Sequence, residues 1–280
     1  MLWILTCALL LLLQWAVASW ALPVEAGGEQ QPAEGENAEA GPGKRPAKGE
    51  VERLFFQANQ SYGQGDYEKA ARLYEAILHS GHVNATVFYN LANCYVRANR
   101  LGKAIVNYNR ALLLSPRDED CKANLRYARD RTVDKIEGTG ETPLWHQLAF
   151  WYEGLNYREL VACFLVAHAS FWLAALLRLF YEREWLAWVR ALSLVLAVAL
   201  GVSAALKYHE TRSSRRAVIV AEEASVRSGF GERDTVLFIL HEGTELEVID
   251  REKSWCKIRL PDGRKGWLKQ EHVEGIALPL

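Results

Sequence analysis

A chain of 280 residues, 50% apolar and 24% charged with a formal net charge of -1, is long enough for more than one domain with its own core. It has no clustered surplus of Lys and Arg, which argues against nucleic acid as a partner. The five cysteines, Cys7, Cys94, Cys121, Cys163 and Cys256, stand singly and make neither a disulfide framework nor a zinc site.

Met1 to Trp20 carry no charge and contain the apolar run Ala8 to Leu13, followed by the small residues Ala16 and Ala18. Residues 1–18 therefore read as a secretory signal cleaved after Ala18, or, because Lys and Arg are missing ahead of the run, as a retained anchor. Either way the segment that follows is exported. Residues 19–50 are rich in Pro, Gly, Glu and Ala, have little to bury, and are expected to form a disordered linker.

From Val51 the chain matches itself at an offset of 34: Ala58 with Ala92, Asn59 with Asn93, Lys69 with Lys103, Ala70 with Ala104, Tyr74 with Tyr108 and Leu78 with Leu112. That is the tetratricopeptide period, with each unit a helical hairpin in which the small alanines let helices approach and the tyrosines fill the gaps. The units are 51–84 and 85–118, and a capping helix brings the region to residue 134. Gly65-Asp66-Tyr67 marks the first turn and Leu114-Ser115-Pro116 the end of the second hairpin. Two repeats and a cap are few for a free-standing solenoid.

After a juxtamembrane segment, 135–158, two stretches are long and apolar enough to span a bilayer, 159–180 and 186–206. They are joined by Tyr181-Glu182-Arg183-Glu184-Trp185, which requires a tight antiparallel hairpin. Trp145, Trp151, Tyr152 and Tyr157 precede the first span, Trp188 opens the second and Tyr208 follows it, as interfacial belts do. An exported N-terminal half and two spans leave both ends of the chain outside, with Arg178, Arg183 and Arg190 at the cytoplasmic loop. Lys207, Arg212, Arg215 and Arg216 count the other way, and parity with the signal is given precedence. His168, at mid-span without an acidic partner in either span, is expected to be neutral and bonded across the hairpin.

Residues 217–280 alternate like short strands broken by Glu242-Gly243-Thr244 and Pro261-Asp262-Gly263, which predicts a small all-β barrel with Cys256 in its core in the place of a valine. The fold class is thus multidomain: helical repeat hairpins, a two-helix membrane hairpin and a small SH3-like barrel.

The motifs Ser225-Val226-Arg227-Ser228-Gly229, Leu240-His241-Glu242-Gly243-Thr244, Ser254-Trp255-Cys256-Lys257-Ile258 and Asp262-Gly263-Arg264-Lys265-Gly266-Trp267 resemble the bacterial SH3 family. Together with Phe56-Gln57-Ala58-Asn59, Gly65-Asp66-Tyr67, Tyr89-Asn90-Leu91-Ala92-Asn93 and Ser115-Pro116-Arg117-Asp118-Glu119-Asp120, the architecture resembles the BatE-type proteins of aerotolerance operons. That resemblance implies a bacterial inner-membrane protein with no enzymatic activity, working beside a MoxR-type ATPase and von Willebrand A domain membrane proteins. Both soluble domains would then face the periplasm.

The first helices of the repeats are expected to line a concave groove with Phe55, Asn59, Tyr62, Tyr89, Asn90, Asn93 and Arg97, where asparagine can bond a peptide backbone with both donor and acceptor. Asn59 and Asn90 match two positions of carboxylate-clamp repeats, but Phe55, Asp120 and Asn124 replace the cations of such a clamp. The alternative is that these asparagines only tie helices together. Trp255 and Trp267 either line a ligand groove of the SH3-like domain, in which case cell-wall peptidoglycan is the ligand class, or cover its core. His79 and His82 lack further metal ligands nearby, and no nucleophile elbow, zinc-protease, phosphate-loop or dinucleotide motif occurs, so neither a catalytic site, a metal nor a cofactor is expected.

Overall fold

The computed structural model of the protein describes residues 48–136 and 150–278. The signal segment, the linker up to residue 47 and Trp145 lie outside the described residues.

Five helices form the repeat region: α1 Lys48–Gly63, α2 Tyr67–His79, α3 Ala85–Arg97, α4 Leu101–Leu114 and α5 Glu119–Asp130. Residues 48–50, read as the end of the linker, already belong to α1. The starts are fixed by side chains that satisfy orphan N–H groups: Asp66 accepts from Lys69 N at 3.0 Å, Asn84 from Thr86 N at 2.8 Å and Asp118 from Cys121 N at 2.9 Å. Helices α1 and α3 end in the same way, with Gly65 (φ 82°) and Asn99 (φ 57°), one repeat apart, in the left-handed region. In each case the next residue's N–H reaches back to close the last turn, Asp66 to Ser61 O and Arg100 to Tyr95 O. Ala58, Ala70, Ala92 and Ala104 have no exposed surface, which is the close helix approach their size permits.

A short helix α6, Phe150–Gly154, leads into α7, Tyr157–Phe180, and α8, Glu184–Ser213. Asn156 and Glu159 form a reciprocal capping box at the start of α7. Both long helices could cross a bilayer by length and composition. They pack on each other through Ala167, Ala174 and Ala175 of α7 and Ser193, Ala197 and Ala204 of α8, and a side chain at Gly201 would press on the Phe164 ring. Their other faces expose Leu165, Val166, Leu173, Leu192, Val195, Val198 and Val202, unlike the core helices of a soluble fold. His168 is not bonded across the hairpin: Trp172, one turn on in the same helix, donates its indole N–H to His168 Nε2 at 3.0 Å. Nearest-turn geometry supplies a donor that the facing helix does not need to provide.

The C-terminal region is a seven-stranded antiparallel sheet: β1 Arg216–Ile219, β2 Glu223–Arg227, β3 Val236–His241, β4 Glu245–Glu252, β5 Trp255–Arg259, β6 Lys265–Lys269 and β7 Val273–Gly275. Their order is β3-β2-β6-β5-β4-β1-β7. Ile219, Val226, Leu240, Leu246, Cys256, Ile258, Leu260 and Leu268 fill the core, with Cys256 1% exposed. At the β5–β6 turn only Gly263 has positive φ (89°), so Pro261 and Asp262 occupy a turn that Gly263 closes, rather than a hairpin with two left-handed residues.

The barrel is docked on the repeats. Helix α4 is buried on nearly every side, with β1 and β7 against it, and Val218 and Ile276 belong to the same core as Phe88, Ile105 and Tyr108. A side chain at Gly102 would fall against the Ile219 carbonyl, so glycine sets the distance between helix and strand. The barrel thereby covers the side of α4, the second helix of the last repeat.

Candidate functional site

Except for Asn90, the residues expected to line the groove fall into three sets, each gathered on one tyrosine. Tyr74 donates its hydroxyl to Asn59 Oδ1 at 2.6 Å, and Tyr108 donates to Asn93 Oδ1 at 2.5 Å, the same bond at the same spacing in both repeats. Phe55 meets the Tyr74 ring edge-on at 5.8 Å, and the Asn90 side chain makes no hydrogen bond among the described residues. Burial pushes the Tyr74 phenol up to about 12 and raises Tyr108 as well, so both hydroxyls stay protonated donors. Asn124 of α5 donates to the Tyr89 hydroxyl at 3.0 Å and Asn93 Oδ1 at 3.3 Å, and the Tyr89 ring tilts over Tyr108. At the far end Arg97 places its guanidinium 4.7 Å over the Tyr67 ring, which meets Tyr62 edge-on at 5.2 Å.

Of the residues expected to line a groove, Phe55 and Asn59 thus gather on Tyr74, Tyr89 and Asn93 on Tyr108, and Tyr62 and Arg97 on Tyr67, and Asn59 and Asn93 tie helices together. Both Oδ1 atoms are occupied, yet the Nδ2 groups of Asn59 and Asn93 have no partner among the described residues. Arg97 is exposed, with no carboxylate within 4.0 Å among them. The groove thus offers donors and a cation. Sequence reasoning missed Phe56, 69% exposed at the repeat position of Asn90 and Asn124, and it missed Asn124 as a bonding partner. The 34-residue offset would have identified both.

The seam between repeats and barrel is polar around its apolar centre. Arg110 donates to Glu274 Oε1 at 2.8 Å and to the Gly275 carbonyl at 2.7 Å, while Asn109 and Arg129 both donate to Glu245 Oε1, at 3.0 and 2.8 Å. Gly102 N–H donates to Glu242 at 3.0 Å; burial nonetheless raises the Glu242 carboxyl. Asp134 accepts from His241 N at 2.7 Å and Thr244 Oγ1 at 2.6 Å, and its other oxygen lies 3.0 Å from His241 Nδ1. Burial works against the Asp134 charge, but these bonds outweigh it and lower its pKa.

The two barrel tryptophans share the face of the sheet opposite Cys256, Ile258 and Leu268, so neither covers the core. Trp255 is buried on that outer face. Trp267 is half-exposed, with the Phe230 ring edge-on at 5.5 Å and Lys257 Nζ 5.7 Å from its centroid. The described residues contain no group of three or more His, Cys, Asp or Glu placed to hold a metal ion. Cys94 and Cys121 are buried thiols pushed up to about 12, and Cys256 to about 11, which is the inert rather than the nucleophilic environment.

Comparison with known proteins agrees with these two domains. Residues 61–126 match the tetratricopeptide repeat family and residues 222–274 the bacterial SH3 domain family. No curated protein matches the chain. Among solved structures, a chain from the crystal structure of a T3SS complex from Aeromonas hydrophila is 16% identical, covering 56% of this chain and 83% of that one, with a TM-score of 0.29. A tetratricopeptide repeat region and a bacterial SH3 domain are present, both of them interaction domains, and no enzyme family is indicated.

Proposed function

We propose that the protein is a non-enzymatic membrane-anchored scaffold that recruits partner proteins in the periplasm, with the repeat groove as its main receptor surface. The observation that carries this is the row of donors left over once the helix-tying bonds are made: Asn59 Nδ2, Asn93 Nδ2 and the Arg97 guanidinium, beside exposed Phe56. Such a surface suits an extended segment that presents carbonyl or carboxylate acceptors and an apolar side chain. The resemblance to BatE-type proteins supports a place in an aerotolerance-type inner-membrane complex with a MoxR-type ATPase and von Willebrand A domain proteins. The peptidoglycan alternative has less surface to work with, because Trp255 is buried and Trp267 is packed by Phe230 and Lys257.

The test uses variants that spare the tyrosine–asparagine bonds. Full-length protein is crosslinked in cells and purified in detergent, as wild type and as Phe56→Lys with Arg97→Glu. Specific membrane proteins that copurify with the wild type and are lost from the double variant are the expected result. Recovery of cell-wall fragments alone, equal in both, would transfer the function to the barrel and sink this reading.

A further inference from the structure

Helix α8 outlasts the apolar stretch it carries. No charged residue lies between Arg190 and Lys207, yet the helix continues to Ser213, about 10 Å beyond Leu206. That overhang exceeds the headgroup layer of one leaflet, about 5–8 Å thick, so with α7 and α8 across a bilayer the barrel stands above the lipid rather than in it. Hydrogen bonds fix the junction at two points: Val248 N–H donates to the Arg215 carbonyl at 2.7 Å, and Leu278 N–H donates to the Thr211 carbonyl at 3.3 Å.

Between the overhang and the barrel lies a cavity of about 1020 Å³. One wall includes Ser203 and Leu206 of the span, Leu206 being 58% exposed, and the other includes Leu246, Leu260 and Pro261 of the barrel. Charges of both signs line it, but they are not equally engaged. Glu245 accepts from Asn109 and Arg129, Glu247 pairs with Arg259 at 3.1 Å, and Glu210 accepts from the Tyr152 hydroxyl at 2.9 Å. Arg215 and Arg216 line the same cavity and are exposed; among the described residues neither has a carboxylate within 4.0 Å, and Arg216 donates only to the Asn109 amide oxygen, at 3.3 Å. The carboxylates of the lining therefore have their donors, while two of its cations have no anion. A ligand that completes the cavity brings an anionic group at the height of the lipid headgroups and an apolar chain that follows Leu206 into the bilayer.

We propose that this cavity binds an anionic phospholipid, with its phosphate between Arg215 and Arg216 and an acyl chain along Ser203 and Leu206. The site depends on α8 and the barrel and not on the repeat groove, so the two can fail separately. A lipid held there would fill the gap between barrel and membrane surface.

The test is native mass spectrometry of the full chain, delipidated in a nonionic detergent and then given equal amounts of dioleoylphosphatidylglycerol and dioleoylphosphatidylcholine. Retention of phosphatidylglycerol over phosphatidylcholine by about fivefold or more is expected, and Arg215→Glu should lower it by about fivefold or more. Arg215→Lys should keep most of the retention. Lys265→Glu, which alters an exposed barrel cation outside the cavity, should leave it unchanged. Because Arg215 and Lys265 are both exposed, circular dichroism should show each variant folded. Equal retention of the two lipids, no effect of Arg215→Glu, or an equal loss with Lys265→Glu would overturn the proposal. So would displacement of the lipid by inorganic phosphate or by a glutamate-rich peptide, either of which would assign the cavity to a soluble ligand.

Discussion

At the scale of single residues, the repeated bond from tyrosine to asparagine sets what the groove can offer. Tyr108 is 1% exposed, so removing its acceptor strands a buried hydroxyl. Asn93→Ala should lower stability by about 1–3 kcal/mol in chemical unfolding of the full chain, and adding Tyr108→Phe should recover part of that loss. Asn59 is exposed and water can replace it, so Asn59→Ala should cost less. Asp134 gives the seam a pH dependence. Its lowered pKa means that its contribution is complete above the ordinary carboxylate range and is lost as pH falls through the lowered value. Glu242, pushed up by burial, acts oppositely: its ionisation opposes docking as pH rises through its raised value. Hydrogen exchange at the His241 amide, which donates to Asp134, should therefore rise once pH falls through the lowered Asp134 value, and Asp134→Asn should raise it at neutral pH while flattening that acid limb.

At the scale of elements, docking depends on close approach rather than on any one polar bond. Gly102→Ala would place a methyl group against the Ile219 carbonyl and the Glu242 side chain, and should destabilise the docked barrel by about 1–3 kcal/mol. Loss of amide protection confined to α4, β1 and β7 would identify the seam as the cause; an unchanged protection pattern would show that the helix and strand tolerate the methyl. Much at this scale was legible beforehand. The repeats announced themselves by identical residues one period apart, the spans by length, and the barrel core by alternation that put Cys256 inward. The equivalence of Gly65 and Asn99 was harder to see because different residues meet the same left-handed requirement. The seam was not legible, since contacts such as Arg110 with Glu274 join residues separated by the whole membrane hairpin. One local signal did point to it: Leu101 to Leu114 is apolar around most of its circumference, which a helix with a solvated face would not be.

At the scale of the molecule, the α7–α8 hairpin lies in the chain between two domains that pack on each other. Arg117, after the second repeat, pairs with Glu159 of α7, while Lys207 donates to the Tyr152 carbonyl at 3.0 Å and the Tyr152 hydroxyl donates to Glu210 at 2.9 Å, tying α6 to the end of α8. The barrel then packs on the repeats that precede the spans. A barrel that docks on the repeats must lie on their side of any membrane that α7 and α8 cross, and an antiparallel pair of spans returns the chain to that side. The cations after α8 that oppose the expected orientation include Arg216, which donates to Asn109 at 3.3 Å in the seam, so part of that charge is used in docking.

The most direct test of a single recruiting body outside the inner membrane is labelling of single cysteines in intact cells with a membrane-impermeant maleimide. With Cys7 and the exposed Cys163 changed to Ala, Phe56→Cys reports the groove and Lys265→Cys the barrel; both positions are exposed, whereas Cys94, Cys121 and Cys256 are buried. The account predicts that both engineered positions label before lysis. Labelling of one with protection of the other would contradict the docked arrangement, and protection of both until lysis would contradict its placement in the periplasm.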